Sequence, residues 1–140
     1  MTEPNAPHVG RGLERSEDLR LLRGRGRYAD DLPQSPRTLN AAILRSPHVH
    51  AEIEAIDTAR ALARPGVTAV ITGEDIQALS DPFMVALRQP LHQWSLAAGR
   101  VRYAGEPVAV IIAEDRYLAE DALDEIEVTY RQLPAAIDSE

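Results

Sequence analysis

Hydrophobic and polar positions along the chain fall into short segments whose period changes several times. From Thr38 to Ser46 the run TLNAAILRS is apolar and of strand length, and Pro47 marks its end. Ala51, Ile53 and Ala55 then alternate with Glu52 and Glu54, the period of two that predicts a half-buried strand with the three apolar residues inward. Asp57 stands where a helix N-cap belongs, and Thr58 to Arg64 reads as a short helix stopped by Pro65-Gly66. Val67 to Thr72 (VTAVIT) is rich in β-branched residues and predicts a buried strand. Gly73 turns the chain, and Glu74 to Leu79 predicts one or two helical turns with acids at their start.

The segment from Ser80 to Arg100 has no clear period and reads as a long loop around Trp94, a candidate contact surface. Val101 to Tyr103 and Val108 to Ala113 predict strands on either side of a turn at Ala104-Gly105, with Pro107 holding the second to begin after it. Asp115 to Asp124 is helical, because Leu118, Ala119, Ala122 and Leu123 share one face. Ile126, Val128 and Tyr130 then alternate with polar residues, so the period switches back to that of a strand. A strand, helix, strand unit near each end implies an α+β domain with a mixed sheet. Residues 1 to 37, rich in arginine and glycine and broken by Pro33 and Pro36, are irregular apart from a helical turn at Glu17 to Leu22. We expect a disordered arm over residues 1–8 and one domain over 9–140.

Composition narrows the chemistry. With 140 residues, 44% of them hydrophobic and 26% charged, the chain has the balance of a globular domain able to bury a core without staples. It has no cysteine, which excludes disulfides, Cys-ligated zinc or iron–sulfur sites and a cysteine nucleophile. All 15 basic residues are arginine, so no lysine Schiff base or phosphate-loop lysine is available. The net charge of -7 is uneven: residues 1–50 carry eight arginines against six acids, and residues 103–140 two against ten. Without a sustained basic face the chain is a poor binder of nucleic acid. No stretch approaches the roughly 20 apolar residues of a membrane span, and no apolar leader is present, so a cytoplasmic location is expected.

Several constellations invite a chemical reading. His48, His50 and Glu52, at every second position, would share one face of an extended strand, as a two-histidine and one-carboxylate metal site requires. They equally form the solvent face of a strand whose inner face is Ala51, Ile53 and Ala55. Gly24-Arg25-Gly26-Arg27 has the look of a phosphate loop but lacks the preceding strand and the following helix, which leaves a surface turn or an arginine anchor. Of the carboxylate pairs, Asp31 suits a turn or cap and Glu114-Asp115 a helix start. Glu120, Asp121, Asp124 and Glu125 read as a solvated helix face. Ser46 sits on no strand-to-helix elbow that would make it a nucleophile. No residue is assigned a catalytic, cofactor-binding or metal-ligating role.

Four segments, taken in order, carry a resemblance: Gly24-Arg25-Gly26-Arg27-Tyr28-Ala29-Asp30-Asp31, Leu44-Arg45-Ser46-Pro47-His48-Val49-His50-Ala51, Pro65-Gly66-Val67 leading to Thr72-Gly73-Glu74-Asp75, and Arg102-Tyr103-Ala104-Gly105-Glu106-Pro107-Val108-Ala109. With Val128 to Pro134 at the close, the chain resembles the N-terminal α/β-hammerhead domain of the molybdenum-binding large subunit of the xanthine dehydrogenase, aldehyde oxidase and aerobic carbon monoxide dehydrogenase family. The resemblance implies a larger oxidoreductase using molybdopterin (cytosine dinucleotide), with iron–sulfur clusters and FAD on partner domains or subunits. It implies as partners the C-terminal molybdenum-binding domains of the same subunit and the iron–sulfur and flavin subunits. The family's cofactor and catalytic motifs match no position here, so the implied role is a scaffold and packing domain that is silent alone. A freestanding interaction module built on the Ser80 to Arg100 loop is the rival, and a small metal-binding protein using His48, His50 and Glu52 a third reading. The matched Gly66, Gly73 and Gly105 are expected at reversals that need positive φ, and Tyr28 and Tyr103 to bury their rings. Glu106 is expected to accept from nearby backbone or an arginine, or else to face the catalytic domain.

Overall fold

The computed structural model describes residues 10, 12, 14–84 and 92–135; the arm expected over residues 1–8 lies outside them. The chain divides into two compact units, residues 1–36 and 37–140. In the first, α1 (Asp18–Leu22) is a single short helix, and a 3-10 turn over Ala29–Asp31 is closed by the Asp31 carboxylate, which accepts from the Tyr28 N–H at 2.9 Å. Tyr28 is 68% exposed, so its ring is not buried as expected.

The second unit is built on β1 (Asn40–Arg45), β2 (Ala51–Asp57), α2 (Ala59–Ala63), β3 (Val67–Thr72), α3 (Gly73–Leu79), β4 (Phe83–Met84), β5 (His92–Gln93), β6 (Arg100–Val101), β7 (Pro107–Ala113), α4 (Arg116–Asp121) with a 3-10 extension over Ala122–Glu125, and β8 (Glu127–Gln132). Two antiparallel three-stranded sheets result, ordered β1-β7-β3 and β6-β2-β8, with β4 and β5 as a separate pair. Among the described strands longer than two residues, β7 alone has no polar residue (PVAVIIA), and it takes the centre of its sheet.

One core lies between the first sheet, α2 and α4. Its buried members are Ala42, Ala61, Ala109, Ile111, Ala113, Ala119, Ala122 and Ile126, and Ile56 and Val128 of the second sheet pack against it. The second core gathers Ala51, Ala97, Val101 and Val108. Alanine dominates because α4 comes close to the sheet, the N-cap Asp115 fixing its start by accepting from the Leu118 N–H at 2.9 Å.

Several expectations are corrected. In β2 the strict alternation fails: a bulge between Ile53 and Ala55 shifts the phase, so Ala55 is exposed and Ile56 turns inward instead. The acids after Asp115 are not simply a solvated face, because Arg64 donates to Glu125 at 2.8 Å and to Asp121 at 3.2 Å, fastening α2 to the end of α4. The expected loop from Ser80 to Arg100 holds β4 and β5 and contributes buried Leu96 and Ala97. Its residues 85–91 lie outside the described set. Of the strands expected around Ala104-Gly105, the first is not Val101 to Tyr103 but the two-residue β6, which joins β2, while β7 joins β1 and β3. Gly66 and Gly105 adopt positive φ (88° and 86°) as expected, whereas Gly73 does not.

Gly73 is glycine for want of room. An added Cβ would lie 2.5 Å from the carbonyl carbon of Ala97, closer still to its oxygen, and 2.9 Å from the Ala98 nitrogen. Beside it the Asp75 carboxylate accepts from both the N–H and the hydroxyl of Thr72, each at 2.8 Å. These bonds, the backbone one foremost, hold the Asp75 carboxyl below its ordinary value of 3.8. A depressed pKa contributes stability that is present above the ordinary value and lost as pH falls through the folded one. The stability gap between the native chain and Asp75→Asn is therefore expected to be largest at neutral pH and to shrink below about pH 4. Urea midpoints measured along a pH series check this, and a gap that stays constant down to about pH 3 would refute it.

Candidate functional site

The motif segments around residues 44–51, 102–109 and 128–134 converge at one end of the β1–β7 pair. The Ser46 N–H donates to the Glu106 carbonyl at 2.9 Å, and the Gly105 N–H donates back to the Ser46 carbonyl at 2.8 Å. The Arg45 guanidinium reaches the Gly105 carbonyl at 2.9 Å. On the far side the Leu133 N–H donates to the His50 carbonyl at 3.0 Å, tying in the end of β8. Loops meet here because β1 pairs with β7 and β2 with β8, so the chain leaving β1 has to cross from one sheet to the other.

Ser46 is 3% exposed and its hydroxyl is fully engaged. It donates to the His48 carbonyl at 3.1 Å, accepts from the His48 N–H at 3.0 Å, and shares a hydrogen bond with the Tyr130 phenol. The parts of His48 that meet Ser46 are main-chain groups. Its ring instead lies edge-on to Tyr130, centroids 4.8 Å apart, with Nδ1 3.2 Å from the Gln132 amide. No base is thus placed on the Ser46 hydroxyl, and a nucleophile's geometry is missing. Burial pushes the Tyr130 phenol above 10.0, with the Ser46 bond acting against it.

Glu106 resolves toward the first of its expected roles. It is 6% exposed, its carboxylate accepts from the Arg102 N–H, and the Arg102 guanidinium stands 3.7 Å away. Among the described residues no buried side-chain nitrogen or oxygen lacks a partner. Tyr103 in the same loop is 46% exposed, against the expected burial.

His48, His50 and Glu52 do not lie on one strand face, since β2 begins only at Ala51. His50 Nδ1 sits 2.7 Å from the Pro134 carbonyl. Glu52 is paired with Arg100 at 3.5 Å and with Arg131. Among the described residues no three His, Asp or Glu are grouped so as to hold a metal ion. Trp94 is half-buried, stacks on His92 at 6.2 Å and donates to the Ser80 carbonyl at 3.4 Å. No helix among the described residues is long and apolar enough to cross a membrane.

Sequence reasoning missed the Ser46 clasp and the Gly73 contact. A serine before Pro47 carries no signal of burial, and the Gly73 contact joins residues 24 apart with no periodicity linking them. A cleft of about 110 Å³ lies nearby, lined by the bulged part of β2, the start of α3 and residues 97–99, with Glu54 and Glu74 among its walls.

Comparison with known proteins agrees with this architecture. The family model described as the a/b hammerhead domain of aldehyde oxidase and xanthine dehydrogenase matches residues 23–134. The carbon monoxide dehydrogenase large chain of Afipia carboxidovorans is 41% identical over 130 residues, covering 93% of this chain and 16% of that one. The nicotine 6-hydroxylase large subunit of Paenarthrobacter nicotinovorans is 38% identical with the same coverage. The crystal structure of quinoline 2-oxidoreductase from Pseudomonas putida 86 superimposes with a TM-score of 0.79 at 46% identity, over 87% of this chain and 16% of that chain. The chain thus spans about a sixth of the length of the relatives it matches. It belongs to the a/b hammerhead domain family of aldehyde oxidase and xanthine dehydrogenase.

Proposed function

We propose that this chain is the N-terminal scaffold and packing domain of a molybdenum hydroxylase large subunit, catalytically silent in isolation. The observation that carries the reading is where the motif residues spend their polar groups. Ser46, Glu106, Arg45 and Asp75 all bond within the domain, so the segments that mark the family hold loops together. That is the chemistry of a scaffold. Its partners on this reading are the C-terminal molybdenum-binding domains of the same subunit, with iron–sulfur and flavin subunits beyond them.

The molybdopterin dinucleotide expected of the parent enzyme can be tested against the residues present. The cleft of about 110 Å³ falls well short of the roughly 300–1,000 Å³ of a small-molecule site, and the carboxylates of Glu54 and Glu74 on its walls repel phosphate. The residues of that cleft do not fit the group; a hollow of about 320 Å³ lined by Leu19, Arg20, Arg23 and Arg25 is larger and cationic, and no step of the reaction is assigned to either.

Purified chain is expected to carry no stoichiometric molybdenum, to lack pterin fluorescence and to reduce no dye with aldehydes, purines or carbon monoxide. Molybdenum at one atom per chain, or turnover with any of these substrates, overturns the reading.

A further inference from the structure

The first sheet has two faces, and among the described residues the alanine-rich core covers only one of them, while the second core reaches β7 at Val108 alone. Cross-strand register places Ala42, Ile111 and Val70 in one row, and these point into the alanine-rich core under α2 and α4. The alternate rows, Ile43–Val110–Ile71 and Ala41–Ile112–Ala69, point the other way. None of these six apolar side chains belongs to or packs on either core. Ile43 is 42% exposed, Ala41 is exposed, and the remaining four are half-buried. A central strand with no polar residue is the pattern of a sheet covered on both sides. Among the described residues neither core supplies the second cover.

We infer that this open face is where the rest of the large subunit docks, through an apolar segment C-terminal to this domain in the same polypeptide. This rests on the scaffold reading and names the surface that performs it. Two observations choose the occupant. The relatives are about six times as long as the stretch matched here, so most of their polypeptide is available to cover it. The patch is also small: three strands by four residues is about 200 Å², from a strand spacing near 4.8 Å and a rise near 3.4 Å. A stable dimer of separate chains needs about 800 Å² on each partner. A covalently joined partner is held at high effective concentration and can use a patch of this size as one part of a wider contact. The six positions carry no charge, so the occupant's contacting side chains are apolar as well.

The test is carbene footprinting with a diazirine reagent on two samples: the 140-residue chain alone, and the same chain fused in place of the matching sixth of the Afipia carboxidovorans carbon monoxide dehydrogenase large chain, assembled with its partner subunits. Ile43, Ile71, Val110 and Ile112 are expected to label strongly in the chain alone and at least about fivefold less in the fusion, as an apolar surface does on becoming an interface core. Exposed Leu62 is expected to label equally in both. Protection already present in the monomeric chain alone assigns the cover to the chain's own residues and overturns the inference. Protection that appears with a dimer in sedimentation, and is lost on dilution, assigns it to a second copy and also overturns it. Equal labelling in a fusion that loads molybdenum overturns the inference while leaving the scaffold reading standing. A fusion that fails to load molybdenum overturns the scaffold reading itself. As a second measurement, Ile43→Lys is expected to leave the melting of the chain alone unchanged and to block assembly of the fusion, with Ile43→Val assembling normally. Normal assembly of the Ile43→Lys fusion counts against the inference.

Discussion

Replacing Gly73 with alanine is expected to destabilise the domain by about 3 kcal/mol, roughly 10 °C in melting temperature for a chain of this size. The added methyl would meet the peptide joining Ala97 to Ala98 at 2.5–2.9 Å. Both sides of this contact are backbone, so no rotamer change relieves it. The Ala97 N–H is already bonded to the Pro107 carbonyl at 2.8 Å, which anchors that strand of chain against β7. Either α3 moves off its start or the 96–97 segment leaves the core, and both expose apolar surface. Gly99→Ala is the control, because nothing lies within 4 Å of its Cβ and its φ of 69° alone sets the cost, about 1 kcal/mol. Denaturant midpoints for the two variants measure the difference. If Gly73→Ala loses no more than Gly99→Ala, the tight approach has been misread.

Ile111→Ala is expected to cost about 3–4 kcal/mol, near the upper part of the range for large-to-small core changes. The reason lies in its neighbours. Of the eight buried residues in its core six are alanine, and an alanine has no side-chain torsion through which to move into a vacated space. The cavity persists, and both the transfer term and the cavity term are lost. Ile111→Val removes one methylene and is expected to cost about 1 kcal/mol. Urea unfolding of the two variants decides the matter, and a loss below about 2 kcal/mol for Ile111→Ala would show that the helices settle onto the sheet after all.

The parts of this fold that were legible in the sequence are those whose signal is local. Val67 to Thr72 and Val108 to Ala113 read as strands because their β-branched runs sit between breakers, and α4 reads as a helix because Leu118, Ala119, Ala122 and Leu123 fall on one face within two turns. The hammerhead family was legible in the order of four short segments, each weak alone. What failed was non-local. The β2 bulge depends on how Ile53 and Ala55 meet β8, more than 70 residues away, and period counting over β2 alone cannot register it. Trp94 drew attention to the Ser80 to Arg100 stretch, yet the residues there that join the core are the plainer Leu96 and Ala97. Gly73 reads as a turn glycine in sequence, since want of space and want of positive φ select the same residue. The candidate metal triad failed for another reason: an i, i+2, i+4 spacing aligns side chains only if the backbone is extended, and the chain bends through Pro47 to His50 before β2 starts.

The pairing of β1 with β7 and of β2 with β8 also governs how the domain can be made. Asn40 waits for Ala113, and Ala51 first for Val101 and then for Gln132, so the first two strands leave the ribosome with no partner for some 50 to 70 residues. At about 5–20 residues per second that is a delay of several seconds with unpaired strand edges in solution. Glu52 and Glu54 within β2, and Pro47 just before it, are the features that discourage β1 and β2 from pairing with strands of another nascent chain during that interval. Their service is then to translation as much as to the finished sheet.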